Sequence, residues 1–290
     1  MTPHPDDALE LHRAVPTHQS NTETIMSSSP ILTSIDARGV ATVTFNRPEV
    51  NNAYNGDFIQ GVLTGLDNLG REKNLRAVVI KGNGRHFQAG ADLKWINSVR
   101  PQSPEINREV SRSTAEAVDR LNRCPVPVVA LVHGGCFGGG TGIVSACDVV
   151  IAADNAIFSI SEVRWGLHAA IIVPHLNDAI GMRQTRRYAL TGERFGAEEA
   201  RRIGLVHEVV SLDKLEARGA EIVAQILENA PSALAKTKQH ILESSWGGFE
   251  QATLDALIDS HAAARQSTEA VEGLASFAEK RSAAWAPKKA

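Results

Sequence analysis

The chain has 290 residues, 43 % of them hydrophobic and 22 % charged, with a formal net charge of -3 and a pI near 6.4. Such values suit one large soluble domain or two smaller ones. The slightly acidic balance points away from nucleic-acid and membrane surfaces as partners. Three cysteines, Cys124, Cys136 and Cys147, show no CxxC spacing. They read as reduced thiols of a cytoplasmic protein, with no metal site and no disulfide framework.

In chain order, residues 1–30 are rich in proline and acidic residues and carry no apolar core segment. They read as a disordered tail, with Met26 near its end. Val40–Phe45 alternates and is β-branched, which predicts a strand. A turn at Asn46–Ala53, punctuated by Pro48, leads to Phe58, Ile59, Val62, Leu63, Leu66 and Leu69 at helical spacing. Ala77–Ile80 is a short buried strand, and Arg85–Trp95 is a turn opening a short helix. Ile106, Val110, Ala117 and Leu121 mark a further helix that Pro125 and Pro127 stop. Nowhere does an apolar run reach the ~18 residues of a membrane span.

The most informative stretch is Pro125–Glu162. An apolar run, Val128–Val132, ends in a glycine-rich turn from Gly134 to Gly140, followed by a small-residue helix from about Thr141 and a second apolar run after Asp148. Glycines there let backbone N–H groups approach a ligand closely, at a helix start that favours negative charge. The spacing from Gly134 to Gly142 does not fit a dinucleotide fingerprint. A single carboxylate, Glu162, follows on a Ser-Glu-Val turn. This pattern predicts an oxyanion held by N–H groups and a proton moved by Glu162. Beyond Pro174 the pattern is nearly all helical, with separate helices at about Val173–Ile180 and Arg183–Leu190 at its start, and is interrupted by a strand at Val206–Val209. The fold class is α/β: crossover units over 31–210, with 211–290 a helical C-terminal extension of the same domain.

Four ordered stretches resemble the crotonase, or enoyl-CoA hydratase/isomerase, family: Asn46-Arg47-Pro48 with Asn52-Ala53; Phe87–Leu93; Gly138-Gly139-Gly140 with Cys147-Asp148; and Leu190–Phe195 with Glu198, Ala200 and Gly204-Leu205-Val206. The segment from Glu272 to Arg281, with Trp285, also looks like the family's last helix. The resemblance covers about residues 31–286. It implies a spiral of ββα units followed by helices, assembled as a homotrimer or a hexamer of two trimers. It implies an acyl-CoA substrate with no cofactor, since coenzyme A is part of the substrate. By motif position the oxyanion donors would be the N–H groups of Ala91 and Gly139, with Ala89, Ala91, Asp92, Leu93 and Lys94 along the CoA and Glu162 as general acid/base.

Gly142 stands where two-carboxylate hydratases of the family carry their first glutamate. Three groups tolerate that loss: methylglutaconyl-CoA and isohexenylglutaconyl-CoA hydratases, Δ3,Δ2-enoyl-CoA isomerases, and feruloyl-CoA hydratase/lyases. A tyrosine of the last group would fall on Ile96 here, which argues against lyase chemistry. Gly142 is expected to open room beside the β-carbon for a C3-branched substrate. Arg164, His168 and His175 are candidates to hold a distal carboxylate, and Lys280 and Arg281 to reach CoA phosphates. The expected activity is hydration of a branched 2,3-enoyl-CoA, with single-glutamate isomerisation or a non-catalytic scaffold as alternatives.

Overall fold

A computed structural model describes residues 29–244 and 251–284. The tail expected over 1–30 falls outside the described residues except for its last two positions, and Trp285 falls outside them as well. The first strand comes earlier than the periodicity suggests. Ile31–Ile35 forms β1, antiparallel to β2 (Val40–Phe45), with Ile31 opposite Phe45 and Ile35 opposite Ala41. It is an edge strand with mostly exposed side chains, so it lacks the apolar alternation of a half-buried strand. Helix α1 (Gly56–Gly70) follows, its first turn capped by Asn55 Oδ1 accepting from the Phe58 amide at 2.9 Å.

Strand β3 (Ala77–Gly82), helices α2 (Leu93–Val99) and α3 (Pro104–Asn122), strand β4 (Val128–Val132), strand β5 (Gly135–Phe137) and helix α4 (Gly139–Ser145) come next. They are followed by β6 (Val149–Ala153), β7 (Ile157–Ser159), helix α5 (Val173–Thr191), β8 (Phe195–Gly196), helix α6 (Ala197–Ile203) and β9 (Glu208–Val210). Helices α7 (Leu215–Leu227), α8 (Pro231–Ser244), α9 (Gln251–Arg265) and α10 (Thr268–Ala278) complete the described chain. Gly181, at φ 72°, interrupts α5 where two separate helices are expected.

The large sheet has the order β1-β2-β3-β4-β6-β9, parallel from β2 onward, and the small sheet has the order β5-β7-β8. The chain visits the two layers in turn. After β4 it enters β5, and after β6 it enters β7, which pairs in parallel with β5. After β3 it reaches Gln88, which bridges in parallel to Cys136 of β5. These are the turns of the expected ββα spiral. One face of the large sheet buries Phe45 against Phe58 and Phe87, with ring centroids 4.9 and 5.3 Å apart. The other buries Val129, Leu131, Ile151 and Ala153 against Leu215 and Val223 of α7.

The spiral positions the site. Ala91 follows Gln88, Gly139 follows β5, and Glu162 follows β7, so three segments far apart in sequence leave neighbouring strands at the same end. Gln88, fully buried, fastens two of them. Its side-chain amide donates to the Gly90 carbonyl at 2.9 Å and accepts from the Gly90 N–H at 2.8 Å, while its backbone carbonyl accepts from the Phe137 N–H at 2.9 Å. Gln88→Leu keeps the shape and removes the amide, leaving the Gly90 N–H unpaired. A loss of ~1–3 kcal/mol is expected from such a group, measured by urea unfolding, together with a fall in kcat as the Ala91 loop loosens.

Candidate functional site

Gly138 begins the site. Its backbone sits at φ 51° and ψ -122°, a conformation that side-chain-bearing residues avoid. The N–H of Gly138 donates to the Ser159 carbonyl at 2.9 Å, while Gly138's own carbonyl accepts from the Thr141 N–H at 2.8 Å. Gly139 is then the first residue of α4, where a helix leaves its N–H groups without intrahelical acceptors. The helix has only seven residues, so a single directed N–H, rather than a long helix dipole, is the feature offered to a ligand.

Ala91 supplies the matching donor. It bridges in parallel to Tyr54, and the bonds of that bridge run from the Tyr54 N–H to the Gly90 carbonyl (2.9 Å) and from the Asp92 N–H to the Tyr54 carbonyl (2.8 Å). Such a ladder turns the N–H of Ala91 itself away from Tyr54. Among the described residues, neither the Ala91 nor the Gly139 N–H has a protein acceptor. Both residues line one cavity of about 390 Å³ together with Ala89, Leu93, Phe137 and Glu162. Two unpaired, fixed N–H groups on one cavity wall are what an oxyanion requires.

Glu162 opens a short 3-10 turn, Glu162–Trp165, whose backbone is closed by the Leu167 N–H donating to the Glu162 carbonyl at 3.1 Å. Its carboxylate packs on the Cα of Gly138, where any side chain would come within 3.2 Å of Oε1. Oε2 is buried and has no hydrogen-bond partner among the described residues. Burial therefore pushes its pKa up to about 7, because the charged form loses its hydration. Helix α10 braces the turn from behind: Gly273 packs directly on the Trp165 backbone and Gly166 on Glu269. Trp165 meets Phe277 edge-on at 4.5 Å.

A second, smaller chamber of about 50 Å³ opens from the first, sharing Tyr54, Gly139, Glu162 and His261. Its remaining wall is largely apolar, with Phe45, Phe58, Leu66, Val118, Ile143 and Ile172 prominent. Three groups that the sequence pattern did not single out line one or both chambers. Tyr54 borders both chambers, and burial together with the nearby Glu162 charge pushes its phenol up to about 12, so it stays a proton donor. His261 and Arg265 lie one turn apart on α9 and reach the site from the C-terminal half. Their i, i+4 spacing was the available signal.

Several expected positions move. Gly142 does not open the cavity. A side chain there would overlap Ile172 Cγ2 and lie 2.8 Å from Ile172 Cβ, so the space of the absent glutamate is filled by an isoleucine. Asp92 is a helix cap rather than a cavity residue. It accepts from the Lys94 N–H at 3.0 Å and pairs with Arg47 at 3.1 Å. Lys94 is exposed and outside the cavity wall. Arg164 lines the larger cavity with its Nε donating to the Gly192 carbonyl at 2.9 Å, and His168 lines the smaller one, near Ser260 at 3.4 Å. His175 is buried outside both walls, and Arg281 is paired with Glu272 at 2.6 Å. Among the described residues, no cluster could hold a metal ion and no helix is long and apolar enough to cross a membrane.

The family description enoyl-CoA hydratase/isomerase matches residues 36–288. The chain belongs to this family. Among curated relatives, a mevalonyl-coenzyme A hydratase from Aspergillus fumigatus is 34 % identical over 267 residues, covering 89 % of this chain and 95 % of that protein. A hydroxycinnamoyl-CoA hydratase-lyase from Pseudomonas fluorescens is 35 % identical over 203 residues, covering 69 % of this chain and 74 % of that one. The crystal structure of an enoyl-CoA hydratase from Shewanella pealeana superposes with a TM-score of 0.74 at 32 % identity, covering 92 % of this chain and all of that one. Gly142→Ala is expected to cost ~1–3 kcal/mol through overpacking, read as a lower midpoint in urea.

Proposed function

We propose that the protein adds water across the 2,3 double bond of an enoyl-CoA, using one carboxylate. The buried, unpartnered Oε2 of Glu162 carries this reading. An orphaned carboxylate oxygen at a cavity wall, ionising near neutral pH, is a base waiting for a water proton. The thioester carbonyl accepts from the Ala91 and Gly139 N–H groups, which draws electron density from Cβ. Glu162 takes a proton from water as its oxygen bonds to Cβ, and the electrons of the double bond move onto the thioester oxygen. The same carboxyl then returns that proton to Cα as the enolate collapses, so one group serves both steps and addition is syn. Tyr54 lines the same two chambers as Glu162, and its hydroxyl can donate to the water and help hold it.

For the acyl group, we retain a C3-branched class of the 3-methylglutaconyl or isohexenylglutaconyl type. Its support is the apolar wall of Ile143 and Ile172 beside Glu162, which suits an alkyl branch, rather than any space at Gly142. Ile96, an apolar cavity residue, favours hydration over carbon–carbon cleavage. Assembly as a trimer or a hexamer, and a cytoplasmic location, are part of the same proposal.

Isomerisation is the second reading, favoured by one observation: Glu162 is the only carboxylate lining either chamber among the described residues. Turnover in H2-18O separates the two. Hydration places 18O on Cβ of the product; rapid conjugation of a 3-enoyl-CoA without 18O uptake would replace hydration by isomerisation.

The pH dependence follows from Glu162. The base works only when ionised, so kcat/KM should rise tenfold per pH unit below about 7 and level off above it. Glu162→Gln should lower kcat by ~10²–10⁴-fold and abolish that limb. Stability has the opposite sign. The folded carboxyl holds its proton from its usual value near 4.5 up to about 7, so folding loses stability as pH rises through this window. Glu162→Gln should therefore raise Tm at pH 8, measured by calorimetry, and leave it nearly unchanged at pH 4.

A further inference from the structure

Arg265 is the largest fully buried side chain of the described residues, 1 % exposed, yet it lines the larger cavity. All its partners are neutral. Nη2 donates to the Asn107 carbonyl and to Ser111 Oγ (2.6 Å), Nε reaches Asn107 Oδ1 at 3.5 Å, and Nη1 meets His261 Nδ1 at 3.3 Å. Among the described residues, no carboxylate pairs with it. A guanidinium keeps its charge under all ordinary conditions. A buried cation without a counter-ion is costly, and its presence on a cavity wall implies that the missing anion arrives with the ligand.

His261 sharpens the site. It is 8 % exposed and borders both chambers. Arg265 can only donate, so Nδ1 of His261 accepts and its proton resides on Nε2. Burial and the adjacent Arg265 charge push the imidazole down to about 3, which keeps it neutral. One N–H of Arg265 Nη1 and the Nε2–H of His261 remain for a ligand.

We propose that Arg265, with His261, receives a carboxylate carried at the far end of the acyl group, making the protein selective for dicarboxylic acyl-CoA thioesters. This rests on the acyl-CoA reading of the site. It also gives the branched acyl group two destinations: an alkyl arm enters the apolar chamber, and a carboxylate arm turns towards α9. The residues that read the charge are on α9 rather than at Arg164, which is engaged with Gly192.

The test uses saturated, unreactive ligands. Glutaryl-CoA and valeryl-CoA have equal chain length and differ in a terminal carboxylate against a methyl. Titration calorimetry on the wild-type protein should show glutaryl-CoA bound more tightly by on the order of 100-fold. Two variants should erase that preference: Arg265→Met, which removes the charge, and Arg265→Gln, which removes the charge while keeping an N–H donor for Asn107 and Ser111. Equal wild-type affinities overturn the proposal, as does a preference that persists in a folded variant. If Arg265→Met fails to fold, Arg265→Gln and the wild-type comparison still decide. A protein that prefers glutaryl-CoA but hydrates no enoyl-CoA would sink the hydratase reading and leave the carboxylate site standing. One that binds neither ligand overturns both.

Discussion

Burying an ionisable oxygen without a partner is unfavourable by ~1–3 kcal/mol or more, and this fold holds Glu162 Oε2 in that condition. Everything around it maintains the arrangement. Gly138 has no side chain, so the carboxylate can lie against its Cα. Glycine-mediated contacts at Gly166 and Gly273 let α10 press on the backbone of the turn that carries it. The same burial raises the pKa towards neutrality. A solvated carboxylate at this place would be satisfied by water and too weak a base for the chemistry proposed.

The proposed oxyanion donors depend on a different constraint, the spiral of strands. The Ala91 and Gly139 amides lie on segments tied together by Gln88, whose side chain and backbone bond both sides of the junction. A donor pair built from backbone needs no particular side chain at Ala91, but it needs the backbone to hold still. That explains a buried glutamine amid apolar residues: it rigidifies one loop and satisfies the Gly90 polar groups that would otherwise be buried unpaired.

The C-terminal helices are part of the site rather than an appendage. Helix α9 is docked on α3 through Arg265 to Asn107 and Ser111, and through Arg108 to Asp255 and Asp259. This docking carries His261 and Arg265 to the cavity and closes its far side. They line the larger cavity, Ile143 and Ile172 line the smaller chamber, and Glu162 borders both. Contact of the reacting centre with two unlike surfaces gives the chemistry a means of telling acyl groups apart that the single glutamate does not provide.

The amino-acid sequence by itself determined the elements and the local chemistry: the buried run Val128–Val132, the glycine turn, Glu162 on its Ser-Glu-Val turn, the split helix around Gly181 and the helices to Arg265. These follow from short-range periodicity and from backbone conformations that only glycine tolerates. Edge strand β1 was less legible, because its exposed side chains carry no alternation. Tertiary structure alone decided what occupies space. Ile172 fills the volume beside Gly142, Asp92 turns to cap α2, and His261 and Arg265 arrive more than a hundred residues beyond the glycine turn. Which side chain fills a gap, and which buried charge lacks a partner, depends on contacts between segments distant in the chain, and no local spacing encodes them.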